Sequence, residues 1–326
     1  VKIARLDGLD ALRGIAALCV LAYHAVEDVG SNAYLAVDFF FMLSGYVMAR
    51  TYESRLEGGM LATRFVGARL RRIWPTIFLG SLLSLPWMFS EMPAQAILPA
   101  IAANLLLLPY PLYNRMFVLN GPVWSIFFEL FANLVHALLL WRLSARILSL
   151  VVPPLAVLLA YYASQYTLNV GSATAGFLAG FPRVLLSYCI GILLWRKWRD
   201  APSVKASAGF TLLAMPLFFG LSTLVAGQSW QADMLFVLAV CPLLIAGGLQ
   251  LERVHPLLIW LGSISFPLYA VHVPAMRLMH WLGVERLWGV VACIPLAWAL
   301  MHIAAAVHAF DFARLVQRRR GALAKA

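Results

Sequence analysis

The sequence predicts an all-α fold: a polytopic integral membrane bundle of about ten transmembrane helices, with one short re-entrant or interfacial segment. Three observations carry that prediction. Of 326 residues, 63% are hydrophobic and only 12% charged, about half the charged share of an ordinary soluble domain. Apolar runs of roughly the 20 residues a helix needs to cross hydrocarbon recur along the chain. The Arg and Lys residues gather in alternate connections, the pattern expected where positive loops stay on the cytoplasmic side.

Each element has its own justification. Residues 1–10 carry Lys2 and Arg5 and read as a cytoplasmic start before a first span over 11–27. That segment lacks an Ala-x-Ala cleavage signal and is expected to be retained. An acidic connection, Glu27-Asp28-Val29-Gly30-Ser31-Asn32, leads to a second span over 36–52. Arg50, Arg55, Arg64, Arg69, Arg71 and Arg72 then crowd the next connection. The contrast sets the acidic loop outside and the basic one inside. A third span over 73–90 opens at Ile73-Trp74-Pro75, since proline is tolerated in a first helical turn. The apolar segment 97–108 is short for a crossing, and a crossing there would send Arg142 and Arg146 outside. It is expected to be re-entrant or to lie at the outer surface. Spans over 122–140, 147–163, 176–195, 207–226, 233–249, 257–279 and 287–310 complete the set. Arg196-Lys197-Trp198-Arg199 and the tail Arg314 to Arg320 then fall inside. One transmembrane domain fills 1–326, with both termini cytoplasmic.

The formal charge is +11 and the mean hydropathy +0.84. In a soluble chain such a charge would suggest nucleic acid, but here the cations sit in short connections and retention explains them. Cys19, Cys189, Cys241 and Cys293 all lie in apolar runs without Cys-x-x-Cys spacing, so neither a metal site nor a disulfide framework is expected. There is no His-Glu-x-x-His, phosphate-binding glycine loop or nucleophile elbow, which removes the usual support for zinc peptidase, ATPase and dinucleotide chemistry.

The polar residues inside the spans sort into two depths. Arg13 and His24 are eleven residues apart on the first span, about three helical turns, so both emerge on one face roughly 16 Å apart along it. Ionisable groups in hydrocarbon are expensive and point to function. On the outer side, His24, Asp38, Glu129 and His272 share a level. Asp38 beside His24 makes a candidate carboxylate–imidazole pair, in which the carboxylate would fix the tautomer of a general base. It is equally readable as a helix-start residue satisfying free N–H groups. Trp124 and Ser125 before Glu129, and Ser265 and Tyr269 before His272, supply further hydrogen-bonding groups. On the cytoplasmic side lie Asp10, Arg13, Arg69, Arg71 and Arg72, a layer suited to a polyanion such as a nucleotide phosphate.

Five blocks carry a family resemblance. Leu6-Asp7-Gly8-Leu9-Asp10-Ala11-Leu12-Arg13-Gly14-Ile15-Ala16-Ala17 through His24 resembles the opening of the acyltransferase family 3 membrane proteins, whose hallmark is an arginine, ten residues and a histidine. Ala36-Val37-Asp38-Phe39-Phe40-Phe41-Met42-Leu43-Ser44-Gly45-Tyr46 is similar to the second block, and Arg69-Leu70-Arg71-Arg72-Ile73-Trp74-Pro75 to the third. Gly121-Pro122-Val123-Trp124-Ser125-Ile126-Phe127-Phe128-Glu129 resembles the Trp-Ser-x-x-x-Glu block. Leu261-Gly262-Ser263-Ile264-Ser265-Phe266-Pro267-Leu268-Tyr269-Ala270-Val271-His272 resembles the late Ser-Tyr-x-x-Tyr-Leu-x-His block. The departures are Phe266 for the usual Tyr, Ala270 for the usual Leu, and Asp311 where a Glu followed by Pro is common.

The resemblance implies a bacterial inner-membrane O-acyltransferase. Its donor would be cytoplasmic acyl-CoA, usually acetyl-CoA, and its acceptor a hydroxyl of an extracytoplasmic or lipid-linked carbohydrate, met among membrane lipids. His24 is then the catalytic residue, with Arg13, Arg69 and Arg72 near the CoA phosphates. Asp38, orienting His24, and Glu129 are the further catalytic candidates, while Trp124, Ser125, Ser265, Tyr269 and His272, with the Glu129 region, would line the acceptor side. A transporter or flippase of a glycan or lipid-linked substrate is the competing class. Against it stand the lack of two-half hydropathy symmetry and the single charged seam.

Overall fold

The structure, a computed structural model, describes residues 6–25 and 32–323, with backbone alone at 226, 308 and 310–323. Lys2, Arg5 and the acidic stretch Glu27 to Ser31 lie outside the described residues, as does the side chain of Asp311. The chain is all-helical. In order, α1 is Asp7–Ala25, α2 Ala36–Glu57 after a 3-10 turn Asn32–Leu35, α3 Ala62–Leu82, α4 Leu85–Glu91 and α5 Ala94–Leu105. Then follow α6 Val123–Leu138, α7 Ala145–Tyr166, α8 Gly180–Trp198, α9 Ala208–Ala226, α10 Trp230–Leu235, α11 Cys241–Gln250, α12 Pro256–Trp281 and α13 Arg286–Leu323. A π-helical turn, Phe236–Val240, joins α10 to α11.

Among the described residues eight helical segments are long and apolar enough to cross a membrane, and α3 with α4, bent by 51°, would be a ninth. The expected ten therefore resolve differently at two places. The third expected span is this bent pair, and it begins eleven residues before Ile73. Its arginines thus ride on a helix whose buried stripe reads Phe65, Arg69, Ile73, Thr76, Ile77 and Gly80, the 3.6-residue period of a core-facing helix. The fourth, expected over 122–140, is a helix of 16 residues, because its last apolar residues turn into a 3-10 coil at Leu140–Arg142. The short segment expected at 97–108 is α5, 12 residues long.

Two close helix crossings place the site. At the first, α1 meets α12, where a Cβ on Gly14 would lie 2.7 Å from Leu261 Cβ and one on Gly262 2.3 Å from the Asp10 carbonyl. At the second, α2 meets α8, where a Cβ on Gly45 would lie 2.1 Å from the Tyr188 carbonyl. Small residues let backbones approach this far, and in hydrocarbon such packing replaces the missing hydrophobic drive. Buried ion pairs add staples: Arg196 on α8 donates to Glu53 on α2 and to the Leu140 and Leu143 carbonyls. At the opposite end, loops 106–122 and 167–176 join through Met116 N–H to the Ser172 carbonyl, 3.0 Å. Asn169 in the second loop donates to Tyr23 Oη at 3.0 Å.

Candidate active site

A partly open cavity lies between α1, α2, α3, α6 and α12. Arg13, Arg69, Arg72, Glu129 and Ser44 line one part of it, and Ser125, Ser265, Tyr269 and Phe40 another. Arg69 reaches the wall because it falls on the buried stripe of α3, whereas Arg71, two residues on, is exposed. Arg69 Nη2 donates to Glu129 Oε1 at 2.7 Å, and Ser44 Oγ donates to the same oxygen at 2.8 Å. Arg13 pairs with Asp10 one turn earlier at 3.2 Å.

Glu129 thus stands with the arginines, not at the depth of His24 as expected. One helical face explains it. Ser125 and Glu129 are four residues apart on α6 and share the cavity side, so Glu129 extends from Ser125 toward Arg69 rather than toward the histidines.

At the inner part of the cavity Ser125 Oγ and Tyr269 Oη are 2.6 Å apart, and Ser125 also donates to the Pro122 carbonyl. Ser265 Oγ donates to the Gly262 carbonyl of its own helix, 2.7 Å. The Tyr269 ring lies 5.7 Å from His272, and His272 lies 5.0 Å from His24. His272 is 1% exposed, while His24 is exposed where α1 ends. Tyr23 sets its ring edge against His24 at 5.0 Å. Arg286 donates to the His24 backbone carbonyl.

Asp38 does not face His24. Both of its oxygens are taken by Arg183 of α8, with Nη2 at 2.6 Å and Nε at 3.0 and 3.2 Å. Arg183 further donates to the carbonyls of Val170 and Tyr34. Its guanidinium lies 5.3 Å from the centre of the Trp124 ring, so Trp124 supports this pair. Tyr34 donates to Asp233 at 2.8 Å, and Asp233 also accepts from Leu168 N–H at 2.7 Å. The sequence reading missed Arg183. An arginine within the apolar run 176–195 was the available signal, since it must find a carboxylate in hydrocarbon. Among the described residues no group of three His, Cys, Asp or Glu side chains is arranged to hold a metal ion.

The family described as an acyltransferase domain matches residues 6–305. "Protein 2 in picA locus" of Rhizobium radiobacter is 33% identical over 181 residues, 48% of this chain and 94% of its own length. "Acyltransferase MdmB" of Streptomyces mycarofaciens is 27% identical over 360 aligned positions, 93% of this chain and 88% of its own length. No solved structure matches.

Proposed function

The chain belongs to acyltransferase family 3, and on that premise we propose that it moves an acyl group, acetyl in the simplest case, from acyl-CoA to a hydroxyl of an extracytoplasmic or lipid-linked carbohydrate. One observation carries the reading. The arginines, Ser125 and Tyr269 line one cavity, and His272 and His24 follow beyond it, the His272 ring 5.7 Å from that of Tyr269 and the two histidine rings 5.0 Å apart. Arg13, Arg69 and Arg72 would hold the donor phosphates from the cytoplasmic side, where guanidinium groups bind phosphate through paired N–H donors. The roughly 16 Å between Arg13 and His24 along α1 suits an extended pantetheine arm. The acceptor hydroxyl would arrive at the exposed His24.

There the imidazole takes the hydroxyl proton as the oxygen attacks the thioester carbonyl. The C–S bond breaks, and the imidazolium returns the proton to the CoA thiolate, so an O-acyl ester and free CoA leave. Bringing both reactants to one histidine makes the transfer effectively intramolecular.

The test is His24→Ala in the full chain, purified in detergent. Label transfer from acetyl-CoA to glycan should fall by about 10²–10⁴, the usual contribution of a positioned acid–base group. Melting temperature and binding of a non-hydrolysable CoA analogue should stay near the wild type. Turnover per folded molecule close to the wild type would sink the mechanism, and movement of a glycan without CoA consumption would favour a transporter.

A further inference from the structure

The tautomer of His272 follows from its neighbours. Its Nδ1 lies 2.8 Å from the Tyr269 carbonyl and 3.2 Å from that of Leu268. Carbonyl oxygens only accept, so the proton sits on Nδ1 and Nε2 presents a lone pair. That Nε2 is buried and has no hydrogen-bond partner among the described residues. A buried acceptor left unmet costs free energy, so a native use for it is expected. The adjacent group with an N–H to give is His24, its ring 5.0 Å away and tilted by 42°. Two imidazoles joined by one N–H···N bond of ordinary length have their centroids about 5 Å apart. The observed separation therefore matches such a bond once the two rings turn to face each other. His24 is exposed and has the room to turn, while His272 is enclosed.

We propose that His272 is the positioning residue for His24. Its Nε2 accepts the His24 N–H, which fixes the His24 tautomer and turns the remaining ring nitrogen toward the acceptor hydroxyl. It thus takes the part that the sequence had offered to Asp38. The inference rests on His24 being the base. The chain supplies an imidazole where many enzymes use a carboxylate. A neutral orienter suits a site inside the membrane, where an extra anion would need its own counter-ion. The two backbone carbonyls that hold Nδ1–H belong to the same helical turn of α12. The lone pair is therefore aimed by secondary structure and not by a mobile side chain.

The experiment compares His272→Leu, His272→Gln and each combined with His24→Ala, in the full chain in detergent with labelled acetyl-CoA and glycan-bearing host membranes. His272→Leu should lower kcat by about 10- to 100-fold, the range lost when a histidine's orienting partner is removed, with the donor KM unchanged. His272→Gln, whose Oε1 reaches the place of Nε2 and accepts a hydrogen bond, should recover most of that loss. In the His24→Ala background neither change should cost more activity, because a residue acting only through another adds nothing once that partner is gone. Wild-type kcat in folded His272→Leu would overturn the proposal, as would a Gln variant no better than Leu or additive losses in the cycle. If His272→Leu does not fold, the Gln variant and its cycle with His24→Ala decide alone. An active His24→Ala protein would instead remove the parent reading, whereas an inactive one beside a fully active His272→Leu removes only this inference.

Discussion

Two of the carboxylate–arginine pairs between helices, Asp38–Arg183 and Glu129–Arg69, differ in a way that separates scaffold from site. Asp38 and Arg183 are 0% and 1% exposed at the side chain. Both carboxylate oxygens are taken, and the arginine spends its other donors on the carbonyls of Val170 and Tyr34. Glu129 and Arg69 are 17% and 10% exposed. They share a single contact on a cavity wall, and Arg69 Nε has no partner among the described residues. The first pair is closed: no ligand reaches it, and it ties α2, α8 and loop 167–176 together. The second is open, with an arginine that could trade a protein carboxylate for a ligand phosphate. The same two side-chain types give a fastener in one place and a binding group in the other. The difference lies in how many donors are already used and whether a cavity adjoins them.

Breaking the closed pair should have the largest effect. Asp38→Ala or Arg183→Met leaves one charge buried alone and should cost about 3–5 kcal/mol, read as a drop in thermal stability in detergent. The double variant should regain much of that loss, since replacing both members of a buried pair is often close to neutral. Activity per folded molecule should change little. A stable Asp38→Ala protein with lost turnover would place this carboxylate back in the catalytic machinery.

The open pair should respond in the opposite quantity. Arg69→Ala should raise the donor KM by about 10- to 100-fold, the worth of a charge-assisted hydrogen bond to phosphate. Its kcat and melting temperature should move less. An unchanged donor KM would mean that this arginine is held only by Glu129 and by topology.

Glu129→Gln should have the smallest effect and the reverse sign. Removing the carboxylate that competes for Arg69 should lower the donor KM by a few-fold, measured with acetyl-CoA or by calorimetry with a non-hydrolysable analogue. A rise in donor KM would show that Glu129 helps to build the donor site and would erase the contrast between the pairs on this point.

How far the site could be read from the chain varies by residue. Arg13, Asp10 and His24 lie on one helix, so their spacing and the Asp10–Arg13 pair followed from helical geometry alone. Asp38 was given the wrong partner, because a short loop joins its span to that of His24 at a similar depth, while the actual partner lies 145 residues away. Glu129 was placed at the wrong end, because depth counted along a span says nothing of which way a side chain leans. Ser125 and Tyr269, 144 residues apart, were each picked out without any indication that they touch. The bent third span escaped notice because hydropathy averages across the break between Leu82 and Leu85.

By itself the sequence determined the class: the scarcity of charge and the recurrent apolar runs demand a helical bundle in lipid, since backbone hydrogen bonds must close within each segment there. It also determined the Arg13–His24 axis, because one helix sets both positions. Only the tertiary structure decided which carboxylate meets which arginine, that two histidines from α1 and α12 lie side by side, and that a cavity adjoins Arg69 but not Arg183. Those outcomes depend on contacts between helices far apart in the chain. They are selected by the close crossings at Gly14, Gly45 and Gly262 and by the need of every buried charge to find a partner, neither of which leaves a local pattern.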